Sequence, residues 1–444
     1  MAKVHLSLFT VIFFSFCLSW VAAAPSSIRK RSFKVERVRN ANLKARNGPR
    51  ELLKAYRKFS MPLPPALLDA VRNGGNAAVG AADVQTKAKG TGATKPNILK
   101  GLGSLDLNAN ATATNSTGIG KVTATPEQGD IEYLAPVTIG GQTLDLDFDT
   151  GSSDLWVFNT QLSSAASDGH QLYNPLKSKT FKMLKGASFS IQYGDESGAS
   201  GNVGTDTVDI GGVTVPNQAI EMATKVTTSF TEDVDSNGLV GLAFSKLNTV
   251  KPQQQKTFFD NVLPSLAEPL FTADLRSNAV GAYEFGRIDT TKFTGDLTWI
   301  PVNTLVGFWQ FSTSSFSVGD ATSPQALATG QAIADTGTTL MLVSPEVAAG
   351  YYSQVEGAVE SQSLGGIVFP CTAELPDLFV DVGGVYTARI KGEDINFAQV
   401  ASKTCFGGVQ PTQGDLQIWG DIFFKSQFVV FNGGNNTLAM AEHV

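Results

Sequence analysis

From about Pro126 onward the chain consists of short apolar runs, rich in β-branched and aromatic residues, cut by Gly, Asn and Asp. That alternation of strand and turn chemistry predicts a mainly β architecture. One hairpin is legible residue by residue. Residues 133–139 and 143–148 flank Gly140-Gly141-Gln142, and in the second run Leu144, Leu146 and Phe148 alternate with Thr143, Asp145 and Asp147. A period of two gives one buried face and one wet face. Asp145 and Asp147 therefore read as a solvated face, and Asp154 as an exposed turn. Helical spacing is rarer: Leu52, Leu53, Tyr56 and Phe59, then the stretches 256–267 and 345–355.

Three zones precede the β region. Lys3, an apolar run over 6–21 and the small residues Ala22, Ala23 and Ala24 read as a secretory signal over 1–24. The run is short for a membrane span, and no later stretch is apolar enough for one. The C-terminal residues form neither a lipid-anchor tail nor a retention signal. A basic, partly helical segment follows. Residues 61–125 are rich in Ala, Gly, Asn and Thr and carry the sequons Asn110-Ala-Thr and Asn115-Ser-Thr, a composition that cannot bury a core and reads as a linker. The expected layout is signal 1–24, pro-peptide and linker 25–120, and two lobes over 121–298 and 299–444. The 444-residue length, 42% hydrophobic and 17% charged, suits two globular domains.

The net charge of -6 hides a split. Residues 21–119 hold 17 basic and 5 acidic side chains, and residues 120–444 hold 16 and 35. A basic front segment and an acidic body attract each other. The acidic body argues against nucleic acid, whose phosphates it repels. Cys17 leaves with the signal, so Cys371 and Cys405 form an even pair in an oxidising compartment. A disulfide is the expected outcome; a metal site or a reactive thiol is the alternative. A metal site would need more ligands than His170 and His443 supply. No cofactor is expected.

Two apolar strands end in the same motif: Phe148-Asp149-Thr150-Gly151-Ser152-Ser153 and Ala334-Asp335-Thr336-Gly337-Thr338-Thr339. Burying a carboxylate is costly unless it is hydrogen-bonded or functional. The glycine permits a sharp turn and a free N–H, and the hydroxyls can hold the acid. One Asp-Thr-Gly is commonly a plain turn. Two copies, each followed at similar distance by an apolar pair and Gly (Gly238-Leu239-Val240-Gly241 and Gln417-Ile418-Trp419-Gly420), indicate a duplication with one acid per copy.

These motifs resemble the two active-site signatures of pepsin-like aspartic proteases, nearest the fungal penicillopepsin-like branch. Ser190-Ile-Gln-Tyr193-Gly194-Asp195 is similar to the flap hairpin of that family. The resemblance runs from about Pro126 to the end, and the Cys371–Cys405 pair fits the branch. It implies a bilobal fold of two β-barrel-like lobes with the cleft between them, and Asp149 and Asp335 as the catalytic acids. It further implies that Thr150 and Thr336 interlock the loops and that Gly151, Ser152, Gly337 and Thr338 support the acids. Tyr193 at the flap tip would hydrogen-bond Trp156; plain aromatic packing is the alternative. Phe230 and Leu239 would line the main pocket or pack in the core. Asp195 would admit Lys before the scissile bond, or be an exposed turn residue. Lys54-Ala-Tyr-Arg-Lys58-Phe59 is similar to the pro-segment stretch whose lysine reaches both acids; Lys58 is expected there, Lys54 second. Self-cleavage would fall within 109–125. Asn435-Asn-Thr would remain as a glycan site on the mature enzyme. Trp419 departs from the family, which has a smaller residue there.

The expected activity is acid-limited cleavage of proteins and peptides after large hydrophobic residues, by a secreted monomeric enzyme inhibited by its own pro-peptide and by pepstatin-type compounds. The competing reading is a silent relative that binds peptides, but such relatives lose an acid, the flap tyrosine or a motif glycine, all intact here. No G-x-S-x-G or H-E-x-x-H occurs, which argues against serine and zinc hydrolases. A two-acid glycosidase would not explain the repeated motif.

Overall fold

The computed structural model describes residues 32–36, 38–39, 46–73, 133–192, 198–231, 233–234, 236–277 and 279–444. The expected signal, the two linker sequons and the flap residues Tyr193, Gly194 and Asp195 lie outside these. Among the described residues no helix is long and apolar enough to cross a membrane.

The predicted hairpin forms from the strands Tyr133–Ile139 and Gln142–Asp149. Its turn is one residue tighter than expected. Gly140 and Gly141 take φ of 55° and 81°, so Gln142 joins the strand opposite Ile139. Two consecutive left-handed residues match the strand twist and favour glycine at both places. Leu144, Leu146 and Phe148 are buried, as the period-two pattern requires.

The hairpin belongs to an eight-stranded sheet that folds back on itself where Thr138 and Ile139 also pair with Asp209 and Val208. Residues 310–419 build a seven-stranded and a four-stranded sheet. The two halves meet in a six-stranded sheet, in which the strand Leu270–Asp274 pairs with Gln427–Asn432. At that seam Phe271 stacks on Phe431 with ring centroids 4.6 Å apart, and buried Trp309 donates Nε1–H to Leu242 O at 2.9 Å. The result is the bilobal pepsin-like fold.

Each lobe repeats one local plan. Gln142–Asp149 runs parallel to Gly238–Gly241, which lies antiparallel to Leu155–Val157. Gln325–Ala334 runs parallel to Leu416–Trp419, which lies antiparallel to Met341–Val343. Each acid thus stands at the end of a strand held from both sides. Trp419 fills its place without disturbance: it is fully buried, edge-on to Phe311, and its carbonyl accepts from the Asp335 N–H at 3.1 Å.

The basic segment supplies helix α1 (Gly48–Lys58). Helix α2 (Pro65–Arg72) falls in the stretch read as linker and corrects that reading there, because Met61, Leu67 and Ala70 are buried against the body. Asn47 caps α1 by accepting from the Arg50 N–H, and Leu52, Leu53 and Tyr56 are buried, as their spacing predicts. The strand Phe33–Glu36 adds an edge to the six-stranded sheet, with Phe33 stacked on Phe285. Over 256–267 the helix is shorter than expected, Phe258–Val262 and then a 3-10 turn over Leu263–Ser265, because Pro264 has no N–H with which to continue the α-helical bonding. The helix in 345–355 covers Pro345–Tyr352, capped by Ser344.

Candidate active site

The two motif loops face each other and interlock. Thr150 Oγ1 donates to Ala334 O at 2.8 Å and accepts from the Thr336 N–H at 2.9 Å. Thr336 Oγ1 donates to Phe148 O at 2.7 Å and accepts from the Thr150 N–H at 3.1 Å. Four bonds across a two-fold arrangement fix the carboxyls against each other.

Asp149 and Asp335 are buried, and their carboxyls hydrogen-bond one another. Each is held within its own loop. Gly151 N–H and Ser152 Oγ donate to Asp149 at 2.7 and 2.6 Å; Gly337 N–H donates to Asp335 at 3.1 Å, and Thr338 Oγ1 donates to its Oδ2. The glycines are needed for a steric reason as well. A Cβ on Gly151 would stand 2.4 Å from Asp335 Oδ1, and one on Gly337 would stand 2.4 Å from Asp149 Oδ1.

Into this site comes Lys58, the last residue of α1. Its Nζ lies 2.7 Å from Asp149 Oδ1, and 2.9 and 3.0 Å from the two oxygens of Asp335. Lys54, one turn earlier on the same face of the helix, is exposed, and the last residue of α1 is the one that reaches the acids. Burial alone would raise Asp149; the Lys58 ammonium and hydrogen bonds from Asp335, Lys58 and Ser152 outweigh it, and the carboxyl is held below its ordinary range. Asp335 is held above its range by burial and by the charge of Asp149, against the pull of Lys58. Lys58 itself is pushed up: the two carboxylates more than offset its desolvation. The three groups thus suit one positive charge, one negative charge and one shared proton.

The profile of the eukaryotic aspartyl protease family matches residues 132–443. Aspartic protease PEP3 of Coccidioides posadasii (strain C735) is 45% identical over 434 residues, covering 95% of this chain and 92% of that protein. Endothiapepsin of Cryphonectria parasitica is 45% identical over 420 residues, with 93% and 90% covered. Penicillopepsin-1 of Penicillium rubens (strain ATCC 28089 / DSM 1075 / NRRL 1951 / Wisconsin 54-1255) is 50% identical over 325 residues, with 72% and 81% covered. The chain belongs to the eukaryotic aspartyl protease family. It is an aspartic-type endopeptidase of the pepsin family, and protein is its substrate class.

In this aspartyl protease, Trp156 is buried edge-on to Phe230 at 5.0 Å, and its Nε1–H has no acceptor among the described residues. Phe230 and Leu239 are half-buried against the same cluster. The sulfurs of Cys371 and Cys405 are bonded, pinning the strand Gly366–Pro370 to Thr404–Gly407 in the C-terminal lobe. Asn435 is exposed at the turn before the last strand, where Thr437 Oγ1 donates to its Oδ1 at 2.7 Å.

Sequence reasoning missed three features. Glu51 of α1 accepts from Thr339 Oγ1 at 2.9 Å, and Tyr56 Oη donates to Pro411 O at 2.6 Å. Both join chain segments hundreds of residues apart, and nothing local announces them. The third corrects the reading of Asp154 as an exposed turn: it is 3% exposed. A signal was present. Asp154 stands five residues after Asp149, and Leu340 stands five residues after Asp335, so the repeat itself marks the position as interior.

Proposed function

We propose that this protease is a secreted, acid-active endopeptidase made as an inactive precursor, with Asp149 and Asp335 as its catalytic dyad. The ionised acid takes a proton from water, which attacks the peptide carbonyl. The neutral acid hydrogen-bonds the carbonyl oxygen as charge develops there, and the proton taken from water then passes to the leaving amine as the C–N bond breaks and the carbonyl re-forms. Thr150, Thr336, Gly151, Gly337, Ser152 and Thr338 position the pair. Tyr193 closes over substrate and accepts from Trp156, Phe230 and Leu239 line the main pocket for large hydrophobic residues, and Asp195 admits Lys. The signal is 1–24, the pro-peptide and linker 25–120, and the lobes 121–298 and 299–444. Asn435 carries a glycan, and the mature enzyme is a monomer.

The observation that carries this reading is Lys58 Nζ within 3.0 Å of both acids, in the space where water and carbonyl would stand. Its release follows from linkage. Asp149 is lowered in the folded precursor, so its contribution is full above the ordinary carboxylate range and is lost as pH falls through the lowered value. Asp335 is shifted upward and takes its proton first, leaving Lys58 paired to Asp149 alone. Acid then frees the segment.

The test is to expose the full chain to a series of pH values and assay digestion of an unfolded protein with and without pepstatin, which mimics the tetrahedral intermediate. Expected is activity that appears only after acid exposure, together with a shed N-terminal fragment, blocked by pepstatin and absent in Asp335→Asn. Digestion that persists in Asp335→Asn would overturn the dyad. Full activity at neutral pH, with no acid step, would overturn the precursor reading.

A further inference from the structure

Five residues past Asp149 the N-terminal lobe buries a second pair of acids. Asp154 is 3% exposed, and Glu221, on the strand Val213–Val226, is 1% exposed. Glu221 stands opposite Trp156 in the pairing of that strand with Leu155–Val157, and the Asn248 amide bridges its carboxyl to that of Asp154. Asn248 Nδ2 donates to Asp154 Oδ1 at 3.0 Å, to Glu221 Oε1 at 2.9 Å and to Ser153 O at 3.2 Å. The Thr249 N–H and hydroxyl also donate to Asp154 Oδ1, at 2.8 and 3.0 Å. Among the described residues no cation pairs with either acid. The further charge acting on Asp154 is that of Asp149.

The donors decide which acid is ionised. Asp154 Oδ1 accepts three bonds, the surroundings of a carboxylate. Glu221 accepts only through Oε1, and its Oε2 is buried with no donor aimed at it. A bare carboxylate oxygen in that place would suffer its full desolvation cost, whereas a protonated one donates instead. Burial and the charge of Asp154 both act on Glu221 in that direction.

The cluster sits on the loop that carries Asp149. The segment 241–249 is stitched to that loop by the Leu242 N–H to Asp149 O at 2.7 Å, the Ala243 N–H to Ser152 O at 2.8 Å and Ser153 Oγ to Phe244 O at 2.7 Å. Asp154, Asn248 and Thr249 extend the same seam.

The other lobe supplies a control. Leu342 pairs with Gln410 as Trp156 pairs with Glu221, and Leu340 takes the place of Asp154. Gln410 is fully buried; its amide donates to Ile367 O and Gly407 O and accepts from the Ile367 N–H. It has permanently what Glu221 has only while protonated, a donor beside an acceptor.

We propose that Glu221 is a positioning residue held as a neutral acid, donating Oε2–H to Asp154, and that loss of this proton loosens the loop 149–154 and sets the upper pH limit of the N-terminal lobe. The sign follows from linkage. A carboxyl that titrates higher folded than unfolded gives its full contribution below the unfolded range and loses it as pH rises through the folded value. The brace is whole in acid and fails toward neutrality, opposite to the Lys58–Asp149 pair.

The test uses the full chain carrying Asp335→Asn, which removes self-digestion and the shared proton of the dyad. Thermal unfolding is followed from acid to neutral pH in that parent and in the same chain with Glu221→Gln. Expected is a midpoint that falls toward neutrality in the parent and stays nearly level with Gln at 221. Each pH unit of rise through the folded value removes up to about tenfold in the folded-to-unfolded ratio. The infrared carbonyl band of a protonated carboxylic acid should also persist in the parent above the ordinary carboxylate range and be missing with Gln. Two curves of the same pH dependence overturn the proposal. If Glu221→Gln fails to fold, the parent's infrared band decides alone: its absence overturns the proposal, and its persistence supports it.

Discussion

The two lobes are alike at the cleft and unlike one layer behind it. In front, the symmetry extends to single atoms: each threonine hydroxyl donates to the opposite carbonyl and accepts the opposite N–H, and each glycine N–H faces its own carboxyl. Behind, one lobe carries Asp154 and Glu221, and the other Leu340 and Gln410. The difference teaches where the chemistry constrains the chain. Atoms that meet across the two-fold have only one workable arrangement, because each lobe is the template for the other. The layer behind needs only to be filled and hydrogen-bonded, and there an acid pair and an amide are alternative solutions with different pH behaviour.

The harshest way to break the symmetry is to crowd it. Ala at Gly151 or at Gly337 would put a methyl 2.4 Å from the opposite carboxylate oxygen. Either substitution should lower kcat/KM by about 100-fold or more, since displacing a reacting group by about 1 Å costs that much. The two losses should match. Activity within tenfold of the parent for one variant would mean that its loop yields and that the front layer is less symmetric than its hydrogen bonds.

A milder test removes the interlock. Thr150→Val and Thr336→Val each strip a buried hydroxyl of one donated and one accepted bond. Each should cost about 1–3 kcal/mol of stability, the penalty of leaving buried partners unmet. Chemical denaturation midpoints measure this. Equal losses keep the lobes equivalent at this layer. A loss confined to one threonine would show that the lobe supplying it does the holding.

These contrasts explain what was legible in the sequence. Asp149 and Asp335 could be read because their constraint is local: a strand end, a glycine and hydroxyls within four residues. The hairpin and α1 could be read because one face of each is buried at a regular period; that period puts Lys54 and Lys58 on one face, and only where α1 ends decides which of them reaches the acids. The pairing of Cys371 with Cys405 followed from counting. Asp154 was misread because acid after a motif glycine usually marks a turn. Its burial depends on Asn248 and Glu221, 94 and 67 residues away, which no local pattern connects. Glu51 and Tyr56 lie on a recognisable helix, but their partners are set only when α1 lies across the C-terminal lobe.

The gentlest comparison is between Ser152 and Thr338, the hydroxyls that donate to the outer oxygens of the two acids. A hydrogen bond to the ionised form lowers a carboxyl's titration, so removing it raises that titration. Ser152 acts on Asp149, the member held low, and Thr338 on Asp335, the member held high. In the profile of kcat/KM against pH, the acid limb reports the group that must be ionised and the alkaline limb the group that must keep its proton. Ser152→Ala should therefore move the acid limb upward, and Thr338→Val the alkaline limb upward, each by about one pH unit or less. Because the acids are coupled, the limbs belong to the pair and some movement of both is expected. Limbs that exchange places would reverse the assignment of the ionised acid. Limbs that move equally in both variants would mean that the protein gives the two acids no separate roles, and that the asymmetry behind the loops stops short of the chemistry.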